Sequence, residues 1–167
     1  MTGKAGGAFG RPRPNAIASR LKRMPMSYHV VILAGFLALA SPVVSDTGAL
    51  RRDGSCPGCD LREANLAGQK LVGADLTGAN LEEGDFSAAN LFLAILDKAR
   101  MDRVDFRKAS LKAATLADAS LRNADFRGAD LSGAWLKGAD ATGARFEGAI
   151  LCNTLMPDGT LSRDGCD

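Results

Sequence analysis

The chain has 167 residues, 24% of them charged, with a formal net charge of +2. That balance supplies neither the dense positive field of a protein that wraps nucleic acid nor the dense negative field of a duplex mimic. Its one histidine and one tyrosine, His29 and Tyr28, both stand near the N-terminus, so the rest of the chain lacks the commonest general base and metal ligand.

Residues 1–45 read as a secretory signal peptide. The basic segment 1–29 carries Lys4, Arg11, Arg13, Arg20, Lys22 and Arg23 and no acidic residue; the apolar segment 30–40 follows, and then small residues with a proline. The apolar run falls short of the roughly 20 residues that span a bilayer, so no stable membrane span is expected once the signal is removed. Cleavage fits after Ala40 or after Ser45, and Met1, Met24 and Met26 all serve as possible starts. No cysteine closes the apolar run, which argues against a lipoprotein. Residues 46–58 form an N-terminal cap and linker, with a short helical turn expected between Asp46 and Arg52.

From 59 to 151 the chain keeps a five-residue beat. Every fifth position from Leu61 is apolar: Leu61, Leu66, Leu71, Leu76, Leu81, Phe86, Leu91, Leu96, Met101 and Phe106, then Leu111, Leu116, Leu121, Phe126, Leu131, Leu136, Ala141, Phe146 and Leu151. Five residues advance an α-helix by about 500°, so successive beats share no helical face. In a straight strand an odd step reverses the side chain every time. The chain must therefore turn a corner every five residues.

Phenylalanine occupies the beat only at 86, 106, 126 and 146. Scattering four phenylalanines over nineteen beats would put them all on one side in roughly one case in 240, so the twenty-residue phase is taken as real. Twenty residues at five per side make a four-sided coil. Alternation turns each beat residue, and the small residue two before it, toward the axis, while the residue between them faces water. Alanine suits the second inward position because four sides converge on a narrow axis. Glycine two residues after the beat, as at Gly68, Gly73, Gly128 and Gly133, suits a tight corner. Gln69, Gly84 and Val104 depart from the small inward residue, Ala141 departs from the large beat residue, and Gln69 is expected to be buried near one end. With strands about 4.8 Å apart, nearly five coils make a rod about 23 Å long. An open solenoid end exposes apolar residues and strand edges, so residues 152–167 are expected to form the C-terminal cap, with a turn at Pro157-Asp158-Gly159.

Runs such as ADLTGANLEEGDF and ADFRGADLSGAWLKGAD resemble the pentapeptide-repeat family, whose consensus is A(D/N)LXX. The resemblance implies an all-β fold, a right-handed quadrilateral parallel β-helix of about five coils of 20 residues with short capping segments. The flanking CPGCDL and LCNTLMPDG resemble those of exported bacterial members, which implies a periplasmic or secreted protein. Export favours disulfides among Cys56, Cys59, Cys152 and Cys166. Pairs 56–59 and 152–166 would staple one end each, and two other pairings are formally possible. A zinc site built from all four cysteines fails on distance, because the pairs sit at opposite ends of the rod.

The resemblance suggests an exported, non-catalytic scaffold with no cofactor and no metal, acting as a structural or protein-interaction module. Two other readings compete. Some family members mimic DNA and bind type II topoisomerases, protecting gyrase; from residue 46 onward this chain holds 15 basic and 19 acidic residues, a balance of −4, which is poor mimicry. The CxxC at Cys56 and Cys59 also allows an exported redox protein, without the βαβ context of a thioredoxin. No glycine-rich phosphate loop follows a strand, and Asp75, Asp85, Asp105, Asp125, Ser87 and Ser110 fall in register on solvated faces, so no nucleic-acid or catalytic site is expected. One exterior row stands out. Ile95, Thr115, Trp135 and Leu155 share the outward position of one side, with Phe92 and Leu93 at the corner before it. A contiguous apolar stripe marks a surface for an unknown protein partner or for self-association, with Trp135 and Phe92 as anchors. Coverage of Trp135 by the C-terminal tail is the alternative.

Overall fold

The structure is a computed structural model that describes residues 46–48, 50 and 54–166. The expected signal peptide lies outside the described residues, as do Arg51, Arg52 and Asp53 of the expected cap.

Parallel β-bridges join residues twenty apart along four rows. One row runs Asp60, Asn80, Arg100, Ser120, Asp140, and the next Asn65, Asp85, Asp105, Asp125, Arg145. The third is Lys70, Asn90, Ser110, Asp130, Ile150, and the fourth Asp75, Ile95, Thr115, Trp135, Leu155. We call these sides A, B, C and D. Each bridge is made by backbone bonds of one repeating pattern: Leu81 N donates to Arg100 O at 2.7 Å, and Arg100 N donates to Ala79 O at 2.9 Å. The five-residue corner is closed locally, as where Ala89 N donates to Phe86 O at 3.0 Å.

Every beat residue from Leu61 to Leu136 is buried, as are the alanines two before most of them. Full burial of a leucine or phenylalanine side chain contributes about 1.5–3 kcal/mol, so this axial column is the main source of stability. On side B the rings of Phe86, Phe106, Phe126 and Phe146 form one stack, with centroids 5.5, 5.0 and 5.1 Å apart. Two of the irregular inward residues share a column but depart from alanine in opposite directions. A Cβ on Gly84 would come within 2.9 Å of the Phe86 ring, so the ring occupies alanine's place. Val104, twenty residues on in the same column, is larger than alanine and is buried.

Gln69 corrects the expectation of burial: it is exposed. It belongs to the first complete circuit, beside a shallow cleft lined by Leu50, Leu66, Leu71 and Val72, and no coil of the described residues lies beneath it. Its amide group therefore meets solvent, and no buried partner is required.

The two ends are covered by different devices, the C-terminal one over only part of its circuit. Thr47, Gly48 and Leu50 have helical backbone, and Leu50 is buried at 2% exposure. Asp46 N donates to Asp60 O at 2.9 Å, and Asp60 N donates back to the Asp46 carboxylate at 3.1 Å. Cys56 and Cys59 are joined in a disulfide, with Cys56 on the beat and buried. At the other end strand β1 (Thr154–Leu155) pairs antiparallel with β2 (Leu161–Ser162). Thr154 takes an inward small position, and its buried hydroxyl donates to Leu131 O at 2.7 Å. A second disulfide joins Cys152 to Cys166.

Candidate interaction surface

The outward positions are sorted by chemistry. On sides A, B and C most are Asp, Asn, Arg or Ser, and they turn out to be structural parts of the corners. The carboxylate of Asp85 accepts the amide of Ser87 at 2.9 Å, and Asp105, Asp125, Asp130 and Asp140, with Asp75 at the start of side D, accept from the residue two ahead in the same way. Such side chains tie down a backbone amide that the corner would otherwise leave to water. Asp75, Asp85, Asp105 and Asp125 are accordingly only partly solvated, which refines the expectation of freely solvated faces.

Ion pairs follow the same rows. Arg127 and Arg107 fold back onto Asp125 and Asp105, and Arg103 pairs with Glu83 one coil away at 2.6 Å. The Arg127 guanidinium holds the Asp125 carboxyl down at about 2, against a smaller upward push from burial. Asp102 is 6% exposed. Burial pushes its carboxyl up, but hydrogen bonds from the Ser120 hydroxyl and the Arg122 side chain outweigh that and leave it lowered. Among the described residues no cluster of His, Cys, Asp or Glu has the arrangement of a metal site. The walls are thus charge-compensated, and the walls' carboxylates are engaged in holding the coil.

Side D differs. Its ladder brings Ile95, Thr115, Trp135 and Leu155 into register, one above another. Trp135 is 50% exposed and Ile95 39%, while Thr115 and Leu155 are partly covered. Phe92 and Leu93 stand exposed at the corner leading onto this side, so the residues singled out in the sequence lie on one side and its leading corner. The hairpin does not cover Trp135. It extends the row instead, because Leu161 pairs with Leu155 and is exposed. The Thr115 hydroxyl lies buried within the row without a hydrogen-bond partner.

Two members escaped the sequence reading. Val72 is exposed directly below Phe92, as the bond from Gly73 N to Phe92 O at 2.8 Å fixes, and the same twenty-residue step would have found it. Leu161 lies beyond the beat, where only the antiparallel hairpin gives it a place.

The coil, its corners and its axial stack define a β-solenoid of five-residue units. The family model described as pentapeptide repeats matches residues 59–97, 85–123, 105–140 and 119–156, in eight copies. The chain belongs to the pentapeptide-repeat family. Membership implies a right-handed β-helix, and proteins of this family are generally non-catalytic structural modules. Among solved structures, the chain is similar to HetL, a pentapeptide repeat protein involved in heterocyst differentiation regulation in the cyanobacterium Nostoc. Identity is 26%, coverage 65% of this chain and 76% of that one, and the TM-score 0.33. It is also similar to a thylakoid-lumen pentapeptide repeat protein of Arabidopsis thaliana, at 24% identity, 66% and 71% coverage and a TM-score of 0.34. A third is the plasmid-mediated fluoroquinolone resistance protein QnrB1, at 20% identity, 59% and 53% coverage and a TM-score of 0.42. No curated protein matches the chain.

Proposed function

We propose that this protein is an exported, non-catalytic scaffold, a right-handed quadrilateral β-helix of about five coils that holds a protein partner against side D. The observation that carries the reading is the exposed row Ile95–Trp135, flanked by Phe92 and Leu93, while the outward rows of the other sides are mostly polar and charge-compensated, with Ile150 on side C the exposed apolar exception. Rigid aromatic anchors on a preformed surface bind with little ordering cost. Export rests on the basic, apolar and small-residue order of residues 1–45 and is supported by two disulfides in the chain that follows. The periplasm or the exterior of a bacterium is the expected location.

The test replaces Trp135→Ala together with Phe92→Ser and compares capture of partners from the periplasm, and sedimentation mass, with the parent protein. Loss of a specific partner, or of a self-associated species, supports the reading. Unchanged capture and unchanged mass remove it. A gyrase-binding role is a separate outcome, read by a supercoiling assay, and the near balance of charge in the repeats speaks against it. A redox role for Cys56 and Cys59 would show as ready reduction by a mild reductant in thiol titration. The burial of Cys56 in the end of the core favours a structural bond instead.

A further inference from the structure

The last coil is covered over half its circuit. On sides C and D the hairpin and tail lie on top of it: Leu151 N donates to Asp164 O at 2.8 Å, β2 pairs with β1, and Gly165 lies against Ile150. Among the described residues, nothing continues the ladder on sides A and B. One coil earlier, Leu121, Asn123, Phe126 and Gly128 all donate their amides to the following coil, at 2.8–3.2 Å. Their counterparts Ala141, Gly143, Phe146 and Gly148 have no backbone acceptor among the described residues, and the carbonyls of Ala139 and Ala144 have no donor. The inner side chains tell the same story: Ala124, Phe126 and Ala129 are fully buried, whereas Ala144, Phe146 and Ala149 are only partly so.

We propose that this half-open rim receives one extended segment of a partner protein, added parallel to residues 139–148 as the next turn of the ladder. Main-chain bonds supply affinity in such strand addition and side-chain pockets supply specificity. The occupant's chemistry can be read from the rim. Ala141 stands where its column otherwise holds Leu61, Leu81, Met101 and Leu121, so a large apolar side chain fits above it. Five residues later an aromatic ring continues the stack on Phe146. The residues before these two lie beside Asp140 and Arg145. The Asp140 carboxylate accepts from the Thr142 amide and hydroxyl, but its charge is only loosely paired, with Arg122 at 4.0 Å, and Arg145 lies 3.8 Å from Glu147, so a basic and then an acidic residue complement them. The recognised segment therefore reads basic, large apolar, three residues, acidic, aromatic. A second copy of this chain does not fit end to end, because the tail already occupies the layer above sides C and D. The rim is separate from the Trp135 row, so either surface stands or falls alone.

The test uses the capped peptide Lys-Leu-Thr-Gly-Ala-Asp-Phe, fluorescently labelled, titrated with the exported form of the protein and followed by anisotropy. Saturable binding is expected, weakened at least tenfold by Ala141→Leu, which fills the space with the residue native to that column. Swapping the peptide's Lys and Asp weakens it too, and hydrogen exchange slows at Ala141, Gly143, Phe146 and Gly148 on binding. No saturation at millimolar peptide, equal affinity for Ala141→Leu, equal affinity for a scrambled peptide, or a doubled mass without peptide overturns the proposal.

Discussion

Corners 83 to 123 and corners 128 to 148 turn the chain in the same left-handed conformation with different residues. In the first stretch the turning residues are Glu83, Ala88, Leu93, Lys98, Arg103, Lys108, Ala113, Asp118 and Asn123, at φ between 52° and 59°. In the second they are all glycine, Gly128, Gly133, Gly138, Gly143 and Gly148, at φ between 67° and 78°. A side chain in this conformation costs about 1–2 kcal/mol. The corner is therefore a demand of the coil, which glycine meets without strain and other residues meet because packing compels them. The middle coils have a neighbour on each face, and their axial residues are fully buried. The last coil has one neighbour beneath it and half a cover, and its corners at Gly143 and Gly148 are unstrained, although Asn153 beside the cover and Glu63 in the first coil also turn at φ 56° with a side chain. Strained corners are kept where the surroundings over-determine them.

The strongest way to break this comparison is to remove the same ring from each region. Phe106→Ala empties the centre of the stack and is expected to cost about 3–5 kcal/mol, whereas Phe146→Ala, at the partly open end, is expected to cost less than half as much. Urea unfolding of both variants measures the difference. Equal losses would mean that the end coil is as tightly held as the middle.

A second break acts on the cover. Replacing Cys152 and Cys166 by serine opens a loop with a sequence separation of 14, for which chain entropy predicts a loss of up to about 3 kcal/mol. The loss is expected to appear first as faster hydrogen exchange at Leu151, whose amide the tail accepts, while Leu111 in the same column stays protected.

The corners themselves offer a smaller and more pointed pair. Gly133→Ala has open space, its nearest neighbour being 4.0 Å away, so its cost is conformational, about 1 kcal/mol after the gain from a stiffer unfolded chain. Lys98→Gly should gain roughly 0.5 kcal/mol by the reverse argument. Thermal or urea midpoints moving in opposite directions support the account; a loss at Lys98→Gly would show that the lysine side chain does more than occupy a strained corner.

The repeat was legible because each residue's environment recurs at a fixed step, so period and phase settle which residues face the axis. The four rows, the phenylalanine stack and the Trp135 row all follow from that counting. What counting misses has no counterpart twenty residues away. The beat assigns Gln69 an inward position but does not show that no described coil lies beneath it. Leu161 joins the apolar row through an antiparallel hairpin that lies outside the beat. The engagement of Asp85 and Asp125 with corner amides was hidden for another reason: the same outward position is equally consistent with a solvated carboxylate.

Stability against pH distinguishes a wall carboxylate of the middle coils from one at the end. Asp125 titrates at about 2 in the folded protein because Arg127 donates to it at 2.9 Å and stabilises its charged form. An unfolded aspartate titrates at about 3.9. The folded state thus binds the proton more weakly, so this pair's contribution is fully present above about pH 4 and is lost as pH falls toward 2. Asp125→Asn keeps an acceptor for the Arg127 amide but removes the charge. Its urea midpoint should lie below that of the parent at pH 6, and the gap should close by pH 2. Asp140, exposed on the last coil and lowered chiefly by the Thr142 hydroxyl, has no guanidinium folded onto it in that way, and solvent screens what charge pairing it has. Asp140→Asn is therefore expected to show a smaller gap over the same range. A gap equal to that of Asp125→Asn would place the end coil's electrostatics on the same footing as the middle's and leave packing as the one difference between the two regions.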